Sequence, residues 1–164
     1  MVLTAWTLDV AALAIMTIVG AGYVRCFRRA RAVGAATRSQ AWCFGIGLAL
    51  WALATFSPVG VYAPVLFWVR ALQVLLLLFV APFFLALGRP LATVCAGSAR
   101  GGAIVERAVR SSLMRVVCSP LATSVAMLAT PWLLYLTPWY VASMTGPLAA
   151  LTRVVLVVVG FGYF

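Results

Sequence analysis

The chain has 164 residues, 66% of them hydrophobic and only 9% charged, with a mean hydropathy of +1.15. Twelve basic and two acidic side chains cannot cover the surface of a compact water-soluble domain of this length, so composition excludes a soluble enzyme and makes lipid the expected solvent. The net charge of +10 comes from arginine alone, with no lysine and no histidine, set against Asp9 and Glu106.

At roughly 20 apolar residues per crossing, the sequence predicts an all-α, multi-pass transmembrane bundle of about five helices in a single membrane domain over 1–164. The alternating ten-residue strands that a barrel needs are not found. Helix one is expected over 6–24, opening on Trp6 and closing at Tyr23. Its arginines follow the apolar stretch, the reverse of a cleaved secretory signal. A basic loop, 25–41, carries Arg25, Arg28, Arg29, Arg31 and Arg38. Helix two, 42–56, stops at Ser57-Pro58, and a short turn leads into helix three, 64–87, which Pro82 can kink and Gly88-Arg89-Pro90 ends. The second basic loop, 88–115, carries Arg89, Arg100, Arg107, Arg110 and Arg115 together with Gly97, Gly101 and Gly102. Within it, 103–114 is a candidate interfacial helix, where Glu106 pairs with Arg107 or with Arg110, four residues on. Helix four is expected over 116–136 and helix five over 147–164, separated by the aromatic turn Thr137-Pro138-Trp139-Tyr140. Arginine clusters between apolar segments set topology rather than bind nucleic acid. The positive-inside rule puts both basic loops and the C-terminus in the cytoplasm and the N-terminus outside.

The two outer hairpins resemble each other. Ser57-Pro58 with Tyr62 parallels Thr137-Pro138 with Tyr140, and each chain re-enters the membrane through a proline followed six residues later by an arginine, Pro64 to Arg70 and Pro147 to Arg153. Each arginine then sits about 9 Å into its helix, where ionisable groups are expensive and mark functional sites. Asp9 enters the same leaflet from helix one, so a cluster of Asp9, Arg70 and Arg153 is expected, pairing reducing the burial cost of all three. The alternative is that both arginines snorkel to the surface and Asp9 is simply hydrated. No catalytic residue is expected. Without His or Lys no nucleophile has a base, and Gly97–Gly102 lacks the Lys-Ser/Thr of a phosphate-binding loop.

Trp6 with Asp9, Tyr23 before a basic loop, Arg38 ahead of Phe44 and Gly47, Ser57-Pro58, the run Phe67 to Gln73, Pro82 and Leu87-Gly88-Arg89-Pro90 together resemble the cytochrome c oxidase assembly factor family of the CtaG type. The likeness is clearest over 42–91. It implies a multi-pass protein of the bacterial plasma membrane that helps assemble the copper-containing part of a terminal oxidase, with oxidase subunits or copper chaperones as partners besides the lipid bilayer, and no nucleic acid. The family's third helix carries a His-Met-x-Gln-His pattern. This chain reads Arg70-Ala71-Leu72-Gln73-Val74 there, so the family's histidine positions hold Arg70 and Val74, and only Gln73 is kept, a candidate for facing a partner. A later histidine-bearing helix corresponds to the region around Arg153, again without histidine. The resemblance therefore implies a diverged or truncated member whose task is scaffolding rather than copper ligation. No metal site and no cofactor are expected, with copper open only to the thiolates Cys26, Cys43, Cys95 and Cys118. Other readings are a membrane interaction subunit unrelated to copper, using the small-residue surface around Gly45 and Gly47, and a transporter or channel component built on Arg70 and Arg153.

Overall fold

Proline and glycine punctuate the chain, and helices fill the intervals. A computed structural model describes residues 10–57, 62, 66–111, 119–139, 143 and 147–164. Among these the elements are α1 (Val10–Ala32), α2 (Arg38–Phe56), α3 (Phe67–Leu75), a π-helical turn (Leu76–Val80), α4 (Ala81–Leu87), α5 (Pro90–Gly97), α6 (Ala99–Arg110), α7 (Pro120–Leu136) and α8 (Pro147–Tyr163), with no strand. Two stretches are long and apolar enough to cross a membrane, Arg38–Phe56 and Phe67–Gly97, while Pro120–Leu136 and Leu148–Tyr163 are shorter apolar helices.

Helix α1 differs from its expected span. It does not stop at residue 24 but continues through four arginines to Ala32. Arginine is a good helix former and its charge suits a helix C-terminus. The end is set by Gly34, whose φ is 73°. The Gly34 N–H donates to the Arg31 carbonyl at 3.0 Å and the Ala35 N–H to the Ala30 carbonyl at 2.9 Å, the paired bonds of a Schellman motif. Helix α2 then starts at Arg38, with the Gln40 Oε1 accepting from the Thr37 N–H at 3.1 Å.

The longest apolar run is continuous through Pro82 but changes its winding just before it. Proline has no N–H to give the Leu78 carbonyl. The chain widens into the π turn, where the Ala81 N–H reaches back to the Leu76 carbonyl. The surface left around Leu78 is covered by Gly160 of α8, so closely that a Cβ there would lie 2.7 Å from the Pro82 Cγ and 2.9 Å from the Leu78 carbonyl carbon. Phe164, just past the end of α8, meets the Phe83 ring at 5.3 Å, so α8 runs parallel to α3 and α4.

Helix α2 makes its most extensive packing with α4, α1 packs on α5, and α8 lies against the π turn, α4 and α7. Leu77, Leu78 and Ala81 have no exposed surface, with Trp51, Phe44, Val74, Leu156 and Met127 packed around them. Outside, Ile18, Trp42, Trp68, Leu128, Trp132 and Val158 are largely exposed. At the arginine-rich end, the Tyr23 ring stacks on Phe44 with centroids 3.7 Å apart and its hydroxyl donates to the Gly88 carbonyl at 3.0 Å. Gly97 lies against the Cys26 backbone, where a Cβ would come within 2.8 Å of the Cys26 Cα. This close approach fixes α5 to the end of α1, and α6 packs on α5. On α6 Glu106 pairs with Arg110 at 2.8 Å, as the four-residue spacing predicts.

Candidate functional site: a buried arginine network

At the end of the molecule opposite the arginine clusters, α3 carries a charged residue inward. Arg70 is only 3% exposed, so it does not snorkel. Its Nη1 donates to the Gln73 Oε1 at 3.0 Å, a pairing that the three-residue spacing on one helix face allows. Its Nη2 donates to Ser143, reaching the hydroxyl oxygen at 2.9 Å and the carbonyl oxygen at 3.3 Å.

Gln73 passes the network on to α2. It is 1% exposed, and its Nε2 donates to the Ala54 carbonyl at 2.8 Å. The sequence explains why that carbonyl is open. Ala54 lies in the last turn of α2, where carbonyls lose their intrahelical partners, and the residue four positions on is Pro58, which has no N–H to offer. The Gln73 amide supplies the missing donor. Gln73 is therefore not the outward, partner-facing side chain that the sequence suggested. It is an internal bridge, turned inward because both ends of its amide find buried partners.

Ser143, which sequence reasoning missed, belongs to the connection between α7 and α8. It is fully buried, and its N–H donates to the Trp139 carbonyl at 2.8 Å. The Trp139 indole N–H in turn donates to the Thr152 hydroxyl at 3.0 Å, which is anchored on the Leu148 carbonyl at 2.7 Å. Arg153 follows Thr152 on α8 and is half-buried. Gly160 meets Leu78, so Arg153, seven residues before the one, and Arg70, eight before the other, stand at similar heights on parallel helices, roughly 10–12 Å from that contact. Asp9 lies outside the described residues, so the proposed triad is described only in its two arginines. Cys26 and Cys43 are half-buried and Cys95 exposed, all toward the arginine-rich end, while Cys118 lies outside the described residues. Among the described residues no three of His, Cys, Asp and Glu stand together.

The described residues are helical, with apolar side chains outside, two stretches long and apolar enough to cross a membrane, and a guanidinium tied into the interior. The chain belongs to the cytochrome c oxidase caa3 assembly factor family, Caa3_CtaG, whose model matches residues 21–164. The matched region contains Arg70, Gln73, Ser143 and Arg153 and leaves Asp9 outside. No curated protein and no solved structure matches the chain.

Proposed function

We propose that this chain is a membrane-embedded assembly factor for cytochrome c oxidase that works by scaffolding. On this reading the helices cross a bacterial plasma membrane five times, with the N-terminus outside and both basic loops and the C-terminus in the cytoplasm. The apolar exterior and the two long apolar stretches support membrane embedding. The arginines of α1 and α6 at the opposite end from Arg70 support the orientation.

The observation that carries scaffolding over copper ligation is the donor set around Arg70. The family resemblance puts imidazoles at positions 70 and 74, where this chain has a guanidinium and an apolar Val74. The neighbouring groups are an amide, a hydroxyl and backbone carbonyls. Copper takes imidazole or thiolate ligands, whereas guanidinium stays protonated, donates only, and repels a cation. These residues do not fit a copper ion. They suit a cross-brace that ties α3 to the end of α2 and to the α7–α8 connection.

Affinity purification from native membranes in mild detergent tests the reading. Oxidase subunits or copper chaperones are expected to co-purify above an unrelated membrane-protein control. The enrichment should survive conversion of Cys26, Cys43, Cys95 and Cys118 to serine and fall in R70Q. Loss of the partners in the cysteine variant, with R70Q unaffected, would refute scaffolding in favour of thiolate chemistry.

A further inference from the structure

The last turns of α1 leave Arg25, Arg28, Arg29 and Arg31 exposed. Arg28 and Arg31, three residues apart, share a helix face. With Val24, Phe27 and Ala32, all on α1, they line a shallow, open recess along one side of that helix. It joins two guanidinium groups to an apolar strip of the same helix. No acid is near in sequence to neutralise it. Asp9 lies nineteen positions before Arg28 in the sequence, and Glu106 is engaged by Arg110.

Guanidinium forks match phosphate oxygens bidentately, and the exposed Val24 and half-buried Phe27 offer a hydrocarbon chain a surface continuous with that site. Helix α6 has the form of a helix lying at a lipid–water boundary, with Arg107 and Arg110, three residues apart, on one face and Val105 on the opposite one. The close packing of Gly97 on Cys26 holds α5, on which α6 packs, to α1.

We propose that this recess binds one anionic phospholipid, its phosphate between Arg28 and Arg31 and its acyl chain along Val24 and Phe27. The assignment rests on the membrane reading above. The test uses the full chain purified in mild detergent, delipidated, and incubated with equimolar phosphatidylglycerol and phosphatidylcholine, with bound lipid counted by native mass spectrometry. One phosphatidylglycerol is expected to bind in preference. At about 1 kcal/mol per arginine near a phosphate, or about fivefold, R28Q/R31Q should weaken it about 25-fold. R38Q/R107Q removes the same charge from arginines that do not line the recess and should change binding less than about threefold. All four side chains are exposed, so unchanged melting temperatures will exclude misfolding. Equal losses in the two double variants, equal retention of phosphatidylcholine, or displacement by a tenfold excess of inorganic phosphate would each overturn the proposal. Alkaline carbonate washing of membranes separates the two readings. Release of the chain into the supernatant defeats membrane embedding itself, whereas a retained chain without lipid preference defeats only the lipid site.

Discussion

Replacing Gln73 by leucine removes the hinge of the buried network while nearly conserving volume. The substitution leaves the Arg70 Nη1 without the oxygen it now meets at 3.0 Å and the Ala54 carbonyl without the donor it now meets at 2.8 Å. A hydrogen bond to a charged group contributes about 1.5–3 kcal/mol, and an orphaned buried carbonyl costs about 1–3 kcal/mol. The expected loss is about 3–5 kcal/mol. At about 2–4 °C per kcal/mol for a chain of this size, the melting temperature in mild detergent should fall by about 6–20 °C. A double-mutant cycle with R70M isolates the pair. Because R70M removes the charge that Gln73 serves, the combined variant should be less destabilised than the two single variants summed, by about 1–3 kcal/mol. Simple additivity within about 0.5 kcal/mol, or a Q73L protein that melts with the wild type, would refute the network as a structural unit.

Two glycine pairs test the helix packing and the end of α1 by the same thermal assay. G160A puts a methyl group against the Leu78 carbonyl and Pro82 and should cost about 2–3 kcal/mol, as overpacking does, whereas G162A, with nothing within 4 Å of its Cβ, should be neutral or slightly stabilising; equal shifts would refute the close approach of α8. G34A forces a left-handed residue, φ 73°, to carry a side chain at a cost of about 1–2 kcal/mol, while G22A, in open space within α1, should gain about 0.5–1 kcal/mol. A neutral G34A would mean that α1 does not end on a Schellman turn.

The apolar character and helical class were legible because they follow from composition and from the length of the apolar runs. Ser57-Pro58 and Gly88-Arg89-Pro90 were legible as breaks because the residue before a proline is pushed out of the helical region and, at the second, glycine is there to end the helix. Helix α1 runs past its expected boundary because a basic residue marks where a helix leaves an apolar solvent, not where it unwinds. Gly34 was the available signal. Arg70 was picked out by its cost in an apolar environment. Its partners were harder to see. Gln73 has a partner on its own helix, but its second partner is a backbone carbonyl of α2, and carbonyls carry no residue-specific signal; Pro58, four residues after Ala54, was the only clue. Ser143 is an unremarkable serine in a connection, brought to Arg70 across 73 residues of chain, and no local pattern announces a contact of that range.

On the scaffolding reading, Arg70 replaces one kind of cross-link by another. A metal joins segments through ligands that can be loaded and emptied, whereas a guanidinium is charged at every accessible pH, and its tie to Gln73 and Ser143 cannot be switched by metal supply. Wild-type protein should therefore melt at the same temperature with or without added copper or a copper chelator. R70H/V74H provides the converse. Two imidazoles four residues apart on one helix face can hold a transition metal together, but the change also dismantles the arginine network, so the metal-free variant should melt about 6–20 °C below wild type, the fall expected of Q73L. Copper at 100 times its dissociation constant should then return about 2.7 kcal/mol, or about 5–11 °C. A wild-type protein stabilised by copper would refute the permanent brace. Failure of R70H/V74H to respond to copper, in a folded sample, would mean that positions 70 and 74 do not present their side chains to a common site.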